Sequence, residues 1–285
     1  MQPEPRKEQP STYFVPDRTN KDERTRVQIQ DTMITNAMGG VLPEQVDPAN
    51  LRRIIDIGCG TGGWLVESAK TYPDIERLIG IDISNRMIEY ARKQAQAEHV
   101  AGRVEFQVMD VLHTLDFPQH HFDLLNHRLG TSYLRTWDWP NLLTKYQHVT
   151  RPGGVIRITE GDICTVSSSP ALTQLNDLTR EAFYHAGHLF TPDNDSVPNK
   201  LPELFRHHGL TDVHTRTSLL KYLPGAEDSF FDDVKLVFRT VVPFLRKWGR
   251  VPDNYDEIYQ QALTEIQQPD CVTTWHLVTI WGTNK

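Results

Sequence analysis

A glycine-rich segment is the part of the sequence whose residue types and spacing point most directly to chemistry. It reads Asp56-Ile57-Gly58-Cys59-Gly60-Thr61-Gly62-Gly63. Glycines placed between a strand and a helix allow a tight turn and let the backbone approach a ligand closely. Gly58, Gly60 and Gly63 also match the G-x-G-x-x-G spacing of dinucleotide sites. Taken alone, this spacing indicates a nucleotide-type ligand and nothing more specific.

Three acidic residues lie around the segment, and two of them narrow the choice of ligand, as does the Arg151-Pro152-Gly153-Gly154 turn that leads into the fifth strand. Asp82 ends the second predicted strand, where a carboxylate can hold a pair of ribose hydroxyls, in NAD enzymes as elsewhere. Asp56 lies in a strand that should be apolar, and a buried carboxylate is costly unless it is paired. It is suited to order the glycine loop and to engage a cationic amino group. Asp110 follows the third strand and can accept a hydrogen bond from an adenine amino group. Asp56 and Asp110 favour S-adenosylmethionine (SAM) over NAD.

The elements that must position these residues alternate along the chain. Strands are predicted from about Leu51, Leu78, Val104, Phe122 and Gly154, with helices over Trp64 to Thr71, from Ser84 to about Glu98 and over Trp139 to Val149. Strands that alternate with helices of this length predict βαβ units and a mostly parallel sheet. An amphipathic helix is also predicted before the first strand, from about Asn20 to Met38.

The regular alternation stops after Asp162. Helices are predicted over Pro170 to Phe190, Leu201 to His208, Asp228 to Trp248 and Asp256 to Ile266, and the last strands over Val213 to Tyr222 and Val272 to Trp281. We therefore divide the chain into an N-terminal extension with a lid helix (1–50), a ligand-binding core (51–162), a helical cap (163–210) and a part that completes the sheet (211–285). Residues 1–20 are rich in proline and polar residues and are expected to be loosely ordered.

The segments around the strands resemble the class I SAM-dependent methyltransferases. The resemblance rests on IIDIGCGTG, IGIDIS, VEFQVMDVL, FDLLNHRLG and RPGGVIRITE, which together span about Leu51 to Asp162. The detail is closest to the group that includes ubiquinone/menaquinone and many natural-product methyltransferases. That group often carries Glu-x-x-Arg-x-x-x-Gln in an N-terminal helix and Glu-x-Asp after the fifth strand. Glu23, Arg26 and Gln30 fit the first pattern, and Glu160 and Asp162 fit the second.

The resemblance implies a doubly wound, Rossmann-like α/β fold, with a seven-stranded, mostly parallel sheet, an antiparallel last strand and a helical cap. It also implies that SAM lies across the carboxyl ends of the strands. The cofactor-binding residues that it implies are Asp56, Gly58, Cys59, Gly60, Gly62, Asp82, Ile83, Met87, Asp110, Val111, Asn126, Arg26 and Gln30. Among them, Asn126 would contribute backbone contacts near the sulfonium.

Residues near the transferred methyl group are expected from the ends of the fourth and fifth strands and from the cap. Because neighbouring strand residues face opposite ways, His127 is the side-chain candidate if Asn126 contacts SAM through its backbone. His127 or Glu160 would orient or deprotonate the acceptor, although His127 could equally be a packed loop residue. Tyr13, Tyr184, His185 and His188 are the candidate substrate-binding residues. His185 and His188 lie one helical turn apart, but no third ligand is evident, so no metal site is predicted.

Composition argues against several classes of function. The net charge of −7, with acidic and basic residues interspersed, argues against a nucleic-acid partner. No apolar run approaches the length that spans a membrane, and the N-terminus carries no signal peptide. Three scattered cysteines suit a reducing cytoplasm and exclude a disulfide framework. A homodimer is left open.

We therefore expect a cytoplasmic enzyme that transfers the SAM methyl group to an O, N or C atom of a small natural-product-like, quinone or phenolic molecule. Three alternatives remain. The fold could use SAM as a structural ligand for other chemistry such as cyclisation, it could methylate a macromolecule, or it could bind SAM without catalysis.

Overall fold

The computed structural model describes residues 12–15, 21–45, 48–225 and 229–285. Most of the N-terminal segment that the sequence predicts to be loosely ordered lies outside these residues. The predicted helix boundaries at Asn20 and Asp228 also lie outside them.

The described residues form an eight-stranded sheet. Its strands are β1 (Arg53–Ile57), β2 (Arg77–Asp82), β3 (Val104–Val108), β4 (Phe122–Arg128), β5 (Thr150–Gly161), β6 (Val166–Ser167), β7 (Thr211–Tyr222) and β8 (Thr273–Thr283). The strand order is β3-β2-β1-β4-β5-β8, and β7 pairs with the free edge of β8. The strands β1 to β5 run parallel, and β8 is antiparallel to β5 and β7. The predicted α/β fold with an antiparallel last strand is confirmed. The two-residue β6, which pairs with the start of β8, was not predicted.

The helices are α1 (Lys21–Met38), α2 (Gly63–Thr71), α3 (Asn85–Ala97), α4 (Asp138–Val149), α5 (Pro170–His185), α6 (Ser196–His207), α7 (Ser229–Thr240), α8 (Val242–Trp248) and α9 (Tyr255–Glu265). Successive strand residues face opposite sides of the sheet, so Ile54 and Leu124 pack with α2 and α3, whereas Ile55 and Leu125 pack with α4 and the cap. This alternation produces two apolar layers, one on each face.

Some element boundaries differ from the predicted ones for identifiable physical reasons. The strand β4 continues two residues beyond Asn126, because His127 and Arg128 remain in register with β5. The helix α5 ends at His185, before Gly187 at φ +82°, rather than at Phe190. The single helix predicted to reach Trp248 is two helices, since Pro243 cannot donate a backbone hydrogen bond and begins α8.

Candidate functional site

A cavity of about 400 Å³ opens at the carboxyl ends of β1 to β4, beneath α1 and residues 12–13. Its size falls in the range of small-molecule sites. The predicted site residues that line it are Tyr13, Gln30, Asp56, Gly58, Cys59, Gly60, Asp82, Ile83, Met87, Asp110 and Val111. Most of the residues that the sequence assigned to the cofactor are thus brought together at one wall.

The glycine loop is held in place by Asp82. One carboxylate oxygen accepts a hydrogen bond from the Gly60 backbone N–H at 3.0 Å, and the other accepts one from the Ser84 N–H at 2.8 Å. Gly58 and Gly60 have φ values of +64° and +53°, in the left-handed region that glycine adopts most easily. Asp82 therefore fixes the loop backbone in addition to facing the cavity.

Asp56 is a buried carboxylate at the cavity wall. Its Oδ1 accepts a hydrogen bond from the Asn126 amide at 2.7 Å. Burial raises the pKa of Asp56 to about 7, although the Arg128 charge and the Asn126 hydrogen bond act in the opposite direction. A cationic group of a ligand beside this buried carboxyl group would stabilise its ionised form.

Asp110 lines the cavity after β3, two strands away from Asp56 on β1. Its Oδ1 accepts the backbone N–H of Leu112 at 2.9 Å, and its Oδ2 lies 2.6 Å from Nδ1 of His113. These contacts fix the carboxylate after β3. Asp56, Asp82 and Asp110 thus lie at or next to the carboxyl ends of the three neighbouring strands β1, β2 and β3.

An ion pair that the sequence analysis missed also lines the cavity. The Arg128 guanidinium, at the end of β4, pairs with Asp31 of α1 and donates to Thr35 Oγ1 at 3.3 Å. Arg128 also lies over the Trp64 ring, 5.9 Å from its centroid. Asp31 directly follows Gln30, which the sequence analysis did predict, and this neighbouring position could have indicated that Asp31 also lines the cavity. The pair brings a cation to the same end of the cavity as Asp56.

Arg26 does not line the cavity, contrary to the predicted cofactor role. Its guanidinium donates to the Glu23 carboxylate at 2.9 and 2.7 Å, to the Tyr13 hydroxyl at 3.1 Å and to Asp233 at 3.3 Å. The side chain is buried, because two carboxylates compensate its charge. Arg26 joins α1 to α7, and Gln30, one helical turn further on, is the residue of the pair that reaches the cavity.

Gly62 and Asn126 also lie behind the cavity wall. Gly62 precedes α2 at φ +79°, and a Cβ there would come within 2.6 Å of the Phe106 ring. The Asn126 amide donates to Asp56 and accepts from Arg157 at 2.5 Å. Because β4 continues to Arg128, the backbone at the strand end belongs to Arg128 and Leu129 rather than to Asn126.

The two predicted catalytic residues are buried away from the cavity surface. His127 lies between the hydroxyls of Tyr133 and Tyr146, at 2.7 Å from Nε2 and 3.0 Å from Nδ1. Burial lowers the pKa of His127 to about 3, so the imidazole is neutral at physiological pH. Direct contact of His127 with an acceptor is therefore not supported by its position.

Glu160 binds the loop that follows β4. Its carboxylate accepts hydrogen bonds from the Gly130 N–H at 2.6 Å and from the Thr131 N–H and hydroxyl at 3.2 and 2.7 Å. Burial raises the pKa of Glu160 to about 7, against these hydrogen bonds. Glu160 thus positions the loop that carries Tyr133.

The candidate substrate-binding residues are distributed over different environments. Tyr13 lines the cavity, and its hydroxyl donates to Glu23 at 2.5 Å. Tyr184 and His185 are exposed on α5 and do not reach the cavity. His188 is buried, with Nδ1 2.8 Å from the Thr131 carbonyl, and burial lowers its pKa to about 3. The structure brings Tyr13 alone of the four to the site.

Two kinds of feature are absent from the part of the chain that the structure describes. No helix in the described ranges is long and apolar enough to cross a membrane. No group of three or more histidine, cysteine or acidic residues there could hold a metal ion.

Comparison with known proteins identifies relatives of this core. Residues 54–154 match the family model described as a methyltransferase domain. Aklanonic acid methyltransferase DauC of Streptomyces sp. (strain C5) is 34% identical over 122 residues, which are 43% of this chain and 54% of the relative. A demethylmenaquinone methyltransferase of Lactiplantibacillus plantarum is 29% identical over 44% of this chain and 49% of its own. The chain spans about half the length of these curated relatives.

A solved structure shows the same fold. Phosphoethanolamine N-methyltransferase 2 of Haemonchus contortus, in complex with SAM, superposes with a TM-score of 0.55 at 18% sequence identity. The match covers 95% of this chain and 59% of that one. At this identity the likeness concerns the fold.

Proposed function

We propose that the protein is a SAM-dependent methyltransferase that binds SAM in this cavity and transfers its methyl group to a small organic acceptor, since residues 54–154 match the methyltransferase-domain model and contribute much of the cavity lining. The observation that carries the proposal is the placement of Asp56, Asp82 and Asp110 at three successive strand ends around one glycine loop. Such a series matches a ligand with a cationic amino group, a ribose and an adenine in that order.

Each end of the ligand has suitable partners in the cavity. Asp82 would accept hydrogen bonds from the ribose hydroxyls, and Asp110 with Val111 would hold the adenine. At the other end, Asp56 would pair with the α-amino group. Arg128, whose Nε is buried without a hydrogen-bond partner in the described structure, would pair with the α-carboxylate.

The chemistry asks little of the protein beyond alignment. SAM supplies a methyl group on a sulfonium that is already a good leaving group. The chain has to hold the acceptor in line with the methyl carbon and exclude water. Residues 12–13 and the helix α1 form the cavity wall that would exclude water, which suits a small acceptor better than a macromolecule.

The relatives are named for small organic acceptors, aklanonic acid in one case and demethylmenaquinone in another. These names support a natural-product or quinone-like acceptor for this chain. The acidic net charge and the pairing of Arg26, Arg128 and Arg157 with carboxylates also favour such an acceptor over a nucleic acid.

Calorimetry with SAM, its demethylated product SAH and NAD tests the cofactor. We expect SAM and SAH to bind and NAD not to bind, and tight NAD binding without SAM binding would refute the proposal. Asp82→Ala should weaken SAM binding by about 1–3 kcal/mol, since the ribose and the Gly60 N–H both lose their acceptor. Tyr184→Phe, on an exposed side chain, serves as the control.

A second assay, with radiolabelled SAM and a panel of small acceptors, tests transfer itself. Label that appears in an extracted small product supports the methyltransferase. SAM binding with a converted but unlabelled product would instead assign other chemistry, such as cyclisation, to the fold.

A further inference from the structure

Tyr133 occupies a central place in the cavity. A Cβ added to Gly58 would lie 2.7 Å from the Tyr133 hydroxyl oxygen, so that hydroxyl lies directly over the glycine loop. Burial raises the pKa of Tyr133 well above its ordinary value, and Tyr146, Asp82, Glu160 and Asp56 add to this rise. The phenol that lies over the glycine loop is therefore neutral.

The backbone around Tyr133 is fixed from two sides. The Thr12 hydroxyl donates to the Tyr133 carbonyl, and the Phe14 N–H donates to the Ser132 carbonyl at 3.1 Å. On the other side, Glu160 binds the N–H groups of Gly130 and Thr131. The phenol thus projects into the cavity from a clamped loop.

A chain of hydrogen bonds runs inward from the phenol. The Tyr133 hydroxyl lies 2.7 Å from Nε2 of His127, and the Tyr146 hydroxyl lies 3.0 Å from Nδ1. A neutral imidazole has one N–H and one bare nitrogen, so only one of the two hydroxyls can donate to it. The direction of the whole chain depends on which hydroxyl that is.

The burial of Tyr146 determines the direction of the hydrogen bonds. Tyr146 is fully buried, and within the described structure its hydroxyl has no hydrogen-bond partner other than His127. A buried O–H that does not donate is costly, so Tyr146 donates to Nδ1. His127 then carries its hydrogen on Nε2 and donates it to the Tyr133 oxygen. The Tyr133 O–H is left to point into the cavity.

We propose that Tyr133 is a catalytic residue that donates a hydrogen bond to the nucleophilic oxygen of the acceptor, with His127 and Tyr146 as positioning residues that fix its direction. The acceptor class that this donor selects is an acidic hydroxyl compound that reacts as its oxyanion, such as a phenol, an enol or a carboxylic acid. This inference rests on the proposed function and makes it more specific.

The reaction balances without a general base in the protein. A lone pair of the oxyanion forms the new O–C bond, the C–S bond breaks, and its electron pair goes to sulfur to give neutral SAH. The acceptor proton has already left to water before transfer. The Tyr133 O–H stabilises the oxyanion and orients it toward the methyl carbon.

The hydrogen-bond chain can be tested without any acceptor. In protein labelled with ¹⁵N-histidine, NMR should show His127 with its hydrogen on Nε2, and loss of the signal in His127→Asn assigns it. Tyr146→Phe removes the donor to Nδ1, so the hydrogen of His127 should no longer be confined to Nε2. Tyr259→Phe, whose hydroxyl binds the Lys235 carbonyl elsewhere, should leave it unchanged. A hydrogen on Nδ1 in the wild-type protein would overturn the proposed direction.

The chemistry is tested by single-turnover transfer from radiolabelled SAM to phenol, hydroquinone and benzoate, with aniline as the nitrogen acceptor. We expect the label on oxygen. Tyr133→Phe should slow transfer about 10–100-fold at pH 7 without weakening SAM binding. For the two phenols it should also move the rise of rate with pH to higher pH, which a merely structural role would not do.

The outcomes separate this inference from the proposed function. Transfer to nitrogen with all three oxygen acceptors inert, an unchanged rate in Tyr133→Phe, or SAM binding with no acceptor methylated would overturn the inference and leave SAM binding intact. Failure of SAM to bind would refute the proposed function, and the NMR result would still decide the hydrogen-bond chain.

Discussion

Buried polar residues around the cavity connect to one another rather than to solvent. The carboxylate of Asp56 binds the Asn126 amide, Asn126 binds Arg157, and Arg157 pairs with Glu44 at 2.5 Å. Arg157 and Glu44 compensate each other's charge, as burial requires, whereas burial raises the pKa of Asp56. This row of side chains crosses the adjacent strands β1, β4 and β5 and ends at Glu44, in the segment that follows α1 in the sequence. It holds the Asp56 carboxylate rigid at the point where a ligand would meet it.

The spacing of residues predicted the acids that face the cavity but not the side chains behind them. Asp56, Asp82 and Asp110 follow from strand ends that can be located by periodicity. The contacts of His127 come from Tyr133 and Tyr146, and a strand pattern gives no information on how a loop and a helix fold back onto it. For the same reason Arg26 could be placed on α1 but not paired with Asp233, 207 residues away.

Asp56→Asn should lower SAM affinity and raise the stability of the unliganded protein. The folded-state pKa of about 7 lies above the ordinary value of 3.8, so stability falls as pH rises between these values and the carboxyl loses its proton. The amide carries no such cost and can still accept from Asn126. The gain in melting temperature should therefore be larger at pH 8 than at pH 5.

Scanning calorimetry at both pH values measures the effect of this substitution on stability, and titration with SAM measures its effect on binding. Asp116→Asn, at a site away from the cavity, is the control. An equal shift in melting temperature at the two pH values would show that Asp56 is already ionised at pH 5.

At the scale of elements, the alternation of apolar strands and capped helices was enough to predict most of the architecture. The Ser84 cap of α3 is present, with the Met87 N–H 3.5 Å from its hydroxyl. What sequence patterns could not supply was strand pairing. The end of β4 depends on neighbours in β1 and β5, and β6 exists because it pairs with two residues of β8.

Gly62→Ala should destabilise the protein more than Gly39→Ala. Both glycines have positive φ, +79° and +85°, so both substitutions carry a backbone cost of about 1 kcal/mol. A Cβ at Gly62 would also lie 2.6 Å from the Phe106 ring and 2.8 Å from Ala91, whereas nothing lies within 4 Å at Gly39. We expect an additional loss of about 1–3 kcal/mol for Gly62→Ala in urea denaturation. Equal losses would show that α2 can shift away from α3.

Removal of residues 1–40 should abolish methyl transfer and leave a folded but less stable domain. The deletion takes Tyr13, Gln30 and Asp31 from the cavity wall, and Arg128 and Asp233 lose their ion-pair partners. The sheet and the helices α2 to α4 keep their own packing. Circular dichroism, thermal melting and single-turnover assays together test this expectation.

Thr32→Ala, on the exposed face of α1, is the control for the deletion and should behave as the wild type. Normal turnover by the truncated protein would show that α1 is not required as a cavity wall.

At the scale of the whole molecule, the cavity is formed by parts of the chain that are distant in sequence. Residues 12–13 and α1 meet the carboxyl ends of β1 to β4, and the loop after β4 is bound both by the N-terminal residues and by Glu160 of β5. A ligand that touches all of these parts stabilises them together, because binding energy is shared among the segments that form the site.

Binding of SAH should therefore slow amide hydrogen exchange over three separate segments, namely α1, the glycine loop at 57–63 and the loop at 129–134. These segments line the cavity, and a bound ligand opposes the local openings through which their amides exchange. The rapidly exchanging amides of α9, which contributes no residue to the cavity, provide the internal control. Exchange with and without SAH, followed by mass spectrometry, makes the comparison. If α1 exchanged equally in the two states while the glycine loop became protected, the ligand would be held by the sheet edge alone, and α1 would have no role as a lid.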